Sequence, residues 1–334
     1  MIAASAAEPQ PRWQALWREA ITDAGELLRL LDLAHLAPHL PQADAGFPLR
    51  VPRGFVARMR RGDARDPLLL QVLPQLAECA DPAAARDAVG DAAARAAPGV
   101  IHKYRGRALL IASGACAVHC RYCFRRHFPY ADETAAAGRW QAALAWLRAH
   151  PEIDELILSG GDPLSLATAK LAELDEALRD FPQLRRLRIH TRLPVVLPER
   201  VDAELCRWLS GLPWPVALVL HANHPRELDD SVAAACARLR HAGVRLLNQA
   251  VLLKGVNDDA GTLAALGARL FDLGVLPYYL HQLDRVRGTL HFEVDDDTAL
   301  ALHAELRRRL PGYLVPRLVR EEAGAPAKTP LVPA

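Results

Sequence analysis

The stretch ALLIASGACAVHCRYC, residues 108–123, decides how this chain is read. Its first six residues form a short apolar run bounded by Gly114, as a buried strand requires. Cys116, Cys120 and Cys123 come directly after it, in the spacing C-x3-C-x2-C. Three soft thiolates on one short loop can hold an inorganic cluster. The same loop would suit structural zinc if His119 or His127 supplied a fourth ligand. A strand running straight into the triad, at the opening of an α/β barrel, favours an iron–sulfur cluster with one iron left open.

The barrel is inferred from residues 155–283. Apolar runs recur at 155–159, 187–191, 216–221, 244–253 and 276–283. Amphipathic segments separate the strands, at 133–150, 165–180, 198–210, 226–241 and 259–273. Near-continuous apolar strands alternating with helices indicate a parallel sheet covered by helices. Six such units predict an α/β fold, a partial (β/α)6 TIM-like barrel. A further helix (295–309) and a strand-like run (313–319) come after it. The strands end in polar residues: Ser159-Gly160-Gly161-Asp162, His190-Thr191-Arg192, His221-Ala222-Asn223, Asn248-Gln249 within the fifth, and His281-Gln282-Leu283-Asp284. In barrels the carboxyl ends of the strands build the active face.

Residues 1–100 read as a helical extension. Helical periodicity runs over 13–33 and resumes at 54–59, with prolines breaking 36–52. The Ala-, Asp- and Arg-rich stretch 81–99 reads as a weak helix or linker. The expected organisation is thus an N-terminal helical extension (1–100), a barrel (101–320) and a C-terminal segment (321–334).

Composition narrows the function classes. The chain has 334 residues, 51% hydrophobic and 24% charged, with a formal net charge of +2. That is a globular composition with no global field favouring nucleic acid. No uninterrupted apolar run reaches transmembrane length, and the N-terminus lacks a secretory pattern. The expectation is a cytoplasmic protein with reduced thiols, no membrane contact and a possible homo-oligomeric state. Cys79, Cys206 and Cys236 lie in apolar or helical contexts and read as bystanders.

Near the end, Gly324-Ala-Pro-Ala-Lys328-Thr329-Pro330 holds a lysine in a chain whose positive charge is mostly arginine. The plain alternative is a solvated terminal lysine. A Schiff base, however, needs a primary amine, which arginine cannot provide.

The triad after the first barrel strand resembles the radical S-adenosylmethionine (SAM) superfamily. Further stretches resemble its lysine 2,3-aminomutase family: His102-Lys-Tyr, Cys120-Arg-Tyr-Cys-Phe-Arg-Arg-His, Ser159-Gly-Gly-Asp-Pro-Leu, Thr191-Arg-Leu-Pro-Val-Val-Leu-Pro, Pro277-Tyr-Tyr-Leu and Lys328-Thr-Pro. Residues 124–130, 49–55 and 312–316 look like the subgroup tied to β-lysylation of elongation factor P. The resemblance implies a [4Fe-4S] cluster on Cys116, Cys120 and Cys123, SAM on its open iron, and pyridoxal 5′-phosphate (PLP) on Lys328. It places Ser159, Gly160, Gly161 and Asp162 near SAM. It places Lys103 and Arg107 at the PLP phosphate, and Tyr122 and Gln249 between the two cofactors. Thr191, Arg192, His221 and Asn223 are implied cofactor contacts. Arg125 is implied to grip the substrate α-carboxylate; Asp284 and Glu321 are implied to hold the ε-ammonium. Two positions depart from the family pattern: Lys103 stands for an arginine and Glu321 for an aspartate.

The implied activity is conversion of L-α-lysine to β-lysine, with an electron donor for the cluster and a functional link to elongation factor P and its ligase. A catabolic lysine aminomutase, or an aminomutase for another amino acid, fits the same motifs. A non-catalytic iron–sulfur or zinc protein is the reading from another class.

Overall fold

The computed structural model describes residues 11–41, 47–138 and 140–332. Ten strands form one sheet in sequence order. β1 (Arg95–Ala97), β2 (Val100–Tyr104) and β3 (Arg107–Ser113) make an antiparallel entry. β4 (Glu155–Gly160), β5 (Arg186–Thr191), β6 (Val216–Leu220), β7 (Arg245–Val251), β8 (Leu276–His281) and β9 (Arg317–Arg320) then continue from β3, each parallel to its neighbour. β10 (Thr329–Pro330) returns antiparallel on β9. Parallel neighbours with intervening helices make the partial α/β barrel expected from the alternating pattern.

The helices, in chain order, are α1 (Arg12–Arg18), α2 (Ala24–Leu30), α3 (Arg53–Val56), α4 (Pro67–Leu70), α5 (Gln141–Arg148), α6 (Thr168–Leu178), α7 (Leu193–Val196), α8 (Ala203–Ser210), α9 (Asp230–His241), α10 (Ala260–Asp272) and α11 (Asp296–Arg309). α8, α9, α10 and α11 start the same way. Asp202, Asp229, Asp259 and Asp295 each accept a backbone N–H three residues on, at 2.8, 3.0, 2.8 and 2.8 Å. Such caps satisfy otherwise orphaned donors, each contributing about 1 kcal/mol.

Three local expectations change. The periodic stretch 13–33 is two short helices, because Ile21 leaves helical geometry to bridge Val51 in both directions at 2.8 and 2.9 Å. Residues 81–99 hold no helix. They form turns, and then β1, since Gly90 and Gly99 sit at φ +71 and +74. The strand-like run at 313–319 begins as a 3-10 turn, Gly312–Leu314, and joins the sheet only at Arg317.

One apolar core runs from Trp13, Ile21, Leu27 and Phe55 through the barrel to Leu318. The buried Arg200 guanidinium lies 4.7 Å from the Trp13 ring, binding α1 to the barrel wall. Among the described residues no helix is long and apolar enough to cross a membrane.

Candidate active site

A cavity of about 620 Å³ lies within the barrel. Its wall includes Cys116, Cys120, Cys123, Lys103, Arg107, Tyr122, Arg125, Ser159, Gly160, Gly161 and Asp162. Thr191, Arg192, His221, Asn223, Gln249, Asp284, Glu321 and Lys328 complete the set, so every candidate from the sequence faces one space. Topology explains most of this: parallel strands deliver their carboxyl ends to the same mouth, while Lys103 and Arg107 come from β2 and the start of β3.

At the cysteine end, glycine is needed for close approach. A Cβ on Gly160, at φ +117, would lie 2.5 Å from the Ser113 carbonyl oxygen. A Cβ on Gly161 would lie 2.7 Å from that of Ala115. The turn after β4 thus presses directly on the loop leading to Cys116. Its Asp162 carboxylate faces backbone and Thr191: it accepts from Thr191 Oγ1 at 2.7 Å and from the N–H groups of Arg192 and Leu193 at 2.7 and 3.0 Å. Burial raises the Asp162 carboxyl to about 6, against these bonds. The Tyr130 hydroxyl donates to the Gly160 carbonyl at 3.0 Å.

Arginines crowd the thiols. Arg192 Nη1 lies 2.6 Å from Cys120 Sγ, and its Nη2 donates to Gln71 at 2.8 Å and Glu227 at 2.9 Å. Glu227 is fully buried, accepting also from the Asn223 and His224 N–H groups. Asn223 gives its side-chain N–H to Gln71 and accepts from Val251. Behind the loop, Glu78 pairs with both Arg121 and Arg126. Burial pushes the Cys123 thiol up to about 11 and holds the Cys116 thiol well above the ordinary thiol range.

The two histidines that could complete a zinc site are engaged elsewhere. His119 Nδ1 lies 2.7 Å from the Pro48 carbonyl and His127 Nε2 lies 3.1 Å from that of Arg287. Among the described residues, no three His, Cys, Asp or Glu side chains converge as for a single ion. A multi-iron cluster instead takes its thiolates on separate iron atoms, and the loop fits that group.

At the other end, charges alternate in a chain. Lys328 Nζ donates to Glu321 at 2.5 Å; Lys103 Nζ reaches the second Glu321 oxygen at 3.0 Å and Asp91 at 2.7 Å. Asp91 also takes Arg125 Nε at 2.6 Å, and Arg125 Nη1 donates to Ser159 at 3.1 Å. Burial opposes ionisation of Glu321, but Lys328 and Lys103 hold it down at about 2. Asp284 differs: burial and the Glu321 charge push it up to about 7. Arg285 pairs with Glu293 rather than with Asp284. Lys328 Nζ lies 5.7 Å from the Tyr279 ring centre, and the Arg107 guanidinium lies on the Tyr104 ring. A primary amine among cations and carboxylates, in a space of this size, fits a phosphorylated aldehyde cofactor.

Sequence reasoning overlooked Asp91, Gln71 and Glu227. Asp91 lies in the Ala/Asp/Arg stretch, where nothing separates it from its neighbours, and Gln71 and Glu227 carry no motif. His190 and His281 stand at strand ends without an assigned role. His281 is buried and His190 half-buried, each has a buried, unpartnered Nε2, and both line the cavity. Gln249 Nε2 lies 2.9 Å from His221 Nε2, continuing this polar band across β7.

No family model matches the chain. Individual relatives do. The L-lysine 2,3-aminomutase of Escherichia coli (strain K12) is 48% identical over 328 residues, covering 96% of this chain and 94% of that protein. That of Haemophilus influenzae is 45% identical, covering 96% and 95%. That of Clostridium subterminale is 33% identical, covering 96% and 77%. Among solved structures, a radical SAM methyltransferase from Sphaerobacter thermophilus aligns at TM-score 0.48 and 18% identity, covering 66% of this chain and 68% of that one.

Proposed function

Since the chain belongs to the L-lysine 2,3-aminomutase family, an isomerase family, we propose that it moves the α-amino group of L-lysine to C3, giving β-lysine. The observation that carries this reading is the polarity of one cavity. Thiols flanked by arginine stand at one end, and a lysine held among carboxylates at the other.

Each protein group has a task suited to its chemistry. Cys116, Cys120 and Cys123 would hold the [4Fe-4S] cluster, with Ser159, Gly160 and Gly161 beside the SAM site. Lys328 supplies the amine that retains PLP, and Lys103 and Arg107 supply positive charge for its phosphate. When bound, these cofactors supply a carbon radical to take hydrogen from substrate C3 and a conjugated ring to stabilise the radical while nitrogen moves.

The remaining residues bind, orient and exclude water. Arg125 grips the substrate α-carboxylate, where a guanidinium can form two parallel hydrogen bonds. Asp284 and Glu321 hold the ε-ammonium; glutamate, with an acid at that position, would meet repulsion. His221, Gln249, Asn223, Thr191 and Tyr122 wall the space against water. Arg192 neutralises charge beside Cys120.

The product is proposed to supply β-lysine for modification of elongation factor P by a separate ligase, in the cytoplasm. Residues 49–55, which resemble that subgroup, lie against the cysteine loop through the His119 N–H to Arg50 carbonyl bond of 3.0 Å. Anaerobic incubation with SAM, PLP, a reductant and either L-lysine or L-glutamate, with chromatography of the products, tests the reaction. β-Lysine is expected from lysine alone; turnover of glutamate alone would overturn the assignment. Loss of β-lysylated elongation factor P on gene deletion tests the fate of the product.

A further inference from the structure

We infer that Asp91 is a positioning residue for substrate recognition: its carboxylate, between Arg125 and Lys103, aims the Arg125 guanidinium at the substrate α-carboxylate. The inference rests on the lysine reading above and deepens it.

Asp91 is 2% exposed and comes from outside the parallel strands. The turn bearing it is fastened on every side. Asp87 caps the Asp91 N–H at 3.0 Å and the Ala92 N–H at 2.8 Å. The Val89 carbonyl accepts from Lys103 Nζ at 2.7 Å, and the Ala85 carbonyl accepts from the Arg287 N–H at 2.8 Å. Gly90 sits at φ +71, where a Cβ would stand 3.0 Å from Ala323 Cβ in the segment that carries Glu321 and Lys328. A side chain rooted so firmly can hold another in place.

Its chemistry excludes the alternative of direct carboxylate binding, since two anions repel. Arg125 Nε donates to one Asp91 oxygen at 2.6 Å, and Lys103 Nζ lies 2.7 Å from the other. Against burial, these two cations keep Asp91 ionised, its carboxyl below the ordinary range. A guanidinium has five N–H donors. Asp91 takes the Nε donor and Ser159 one on Nη1, leaving three for a ligand. The two terminal nitrogens therefore keep the donors a fork-like grip on a carboxylate requires. The same Asp91 joins this grip to Lys103, so the α-carboxylate site and the proposed phosphate site share one anchor.

The test compares L-lysine with L-lysinamide, which keeps both amines but lacks the anionic carboxylate. Dissociation constants are measured on the anaerobically reconstituted, PLP- and SAM-loaded enzyme. The parent should prefer lysine. In Asp91→Asn, lysine should bind at least roughly ten-fold more weakly, the loss expected when a charged hydrogen bond is removed. Lysinamide binding and iron content should stay as in the parent. Adding Asp91→Asn to Arg125→Gln should cause no further loss, because Asp91 acts through Arg125. Asp91→Glu, which keeps the charge and guards against a variant that does not fold, should retain most of the preference. Unchanged lysine affinity in Asp91→Asn, or equal loss of both compounds, overturns the inference while leaving the lysine reading intact. A parent enzyme that binds the two alike overturns the α-carboxylate reading and the inference with it.

Discussion

At the cysteine end of the cavity, Arg192 lies against Cys120, and Arg121 and Arg126 pair with Glu78 behind the loop; at the lysine end, Asp91, Asp284 and Glu321 stand among Lys103, Arg125 and Lys328. The ends also differ in how their charges are balanced. Arg192 pairs with a fully buried Glu227 contributed by the barrel, and Gln71 reaches in from the N-terminal region. Lys328 and Lys103 share Glu321, which lies seven residues from Lys328 in the same segment. The cysteine end is braced by a buried residue from elsewhere in the barrel, whereas Lys328 is paired within its own terminal segment. Buried charge persists only when paired, and each end meets that requirement with partners from within the chain.

The largest effect should come from separating the two ends. Lys328→Ala should give no detectable β-lysine and lose PLP absorbance while keeping iron. Cys120→Ala should lose iron and keep PLP. Elemental analysis and absorbance read both; joint loss in either variant would show that the ends fold as one unit.

Next is Arg192→Met in the cofactor-free protein. It leaves Glu227 buried without its cation, and removing one partner of a buried pair costs about 3–5 kcal/mol. Chemical denaturation measures this, and an unchanged midpoint would show that the cysteine end is not braced by this pair.

A smaller effect is in pH. Asp284 is raised from 3.8 to about 7 in the folded chain, so the native state holds its proton longer. Its contribution to stability is fully present below 3.8 and lost as pH rises to about 7. Glu321 is lowered from 4.5 to about 2, so its contribution is present above 4.5 and lost as pH falls to about 2. Lysine affinity, measured calorimetrically, should rise with pH up to about 7 as Asp284 ionises. Asp284→Asn should flatten that rise.

The smallest effect is expected at Arg61, whose pair with Asp32 lies in solvent. Arg61→Ala should leave the melting temperature and activity unchanged within error, since exposed pairs contribute little.

Much of this cavity was legible along the chain. Apolar periodicity exposed the strands, since a strand covered on both faces needs a continuous apolar run. The cysteine spacing and Lys328 stood out because few residue types serve their chemistry. Where local pattern competed with tertiary pairing, it misled: Ile21 left a helix to meet Val51, and Arg95–Ala97 joined β2. Asp91 and Glu227 were illegible for another reason. A carboxylate in an Ala/Asp/Arg stretch looks the same whether it faces solvent or a buried arginine.

The sequence by itself determined the alternation of strands and helices within the barrel, the cysteine loop, the glycine turn and the lysine near the end. These rest on periodicity, spacing and side-chain chemistry, which are local. Only the tertiary structure decided which charges meet. Arg125 with Asp91, Lys103 with Glu321 and Arg192 with Glu227 are pairs separated by 34 residues or more. Packing chooses such partners, because a buried charge takes the opposite charge that the folded barrel places beside it.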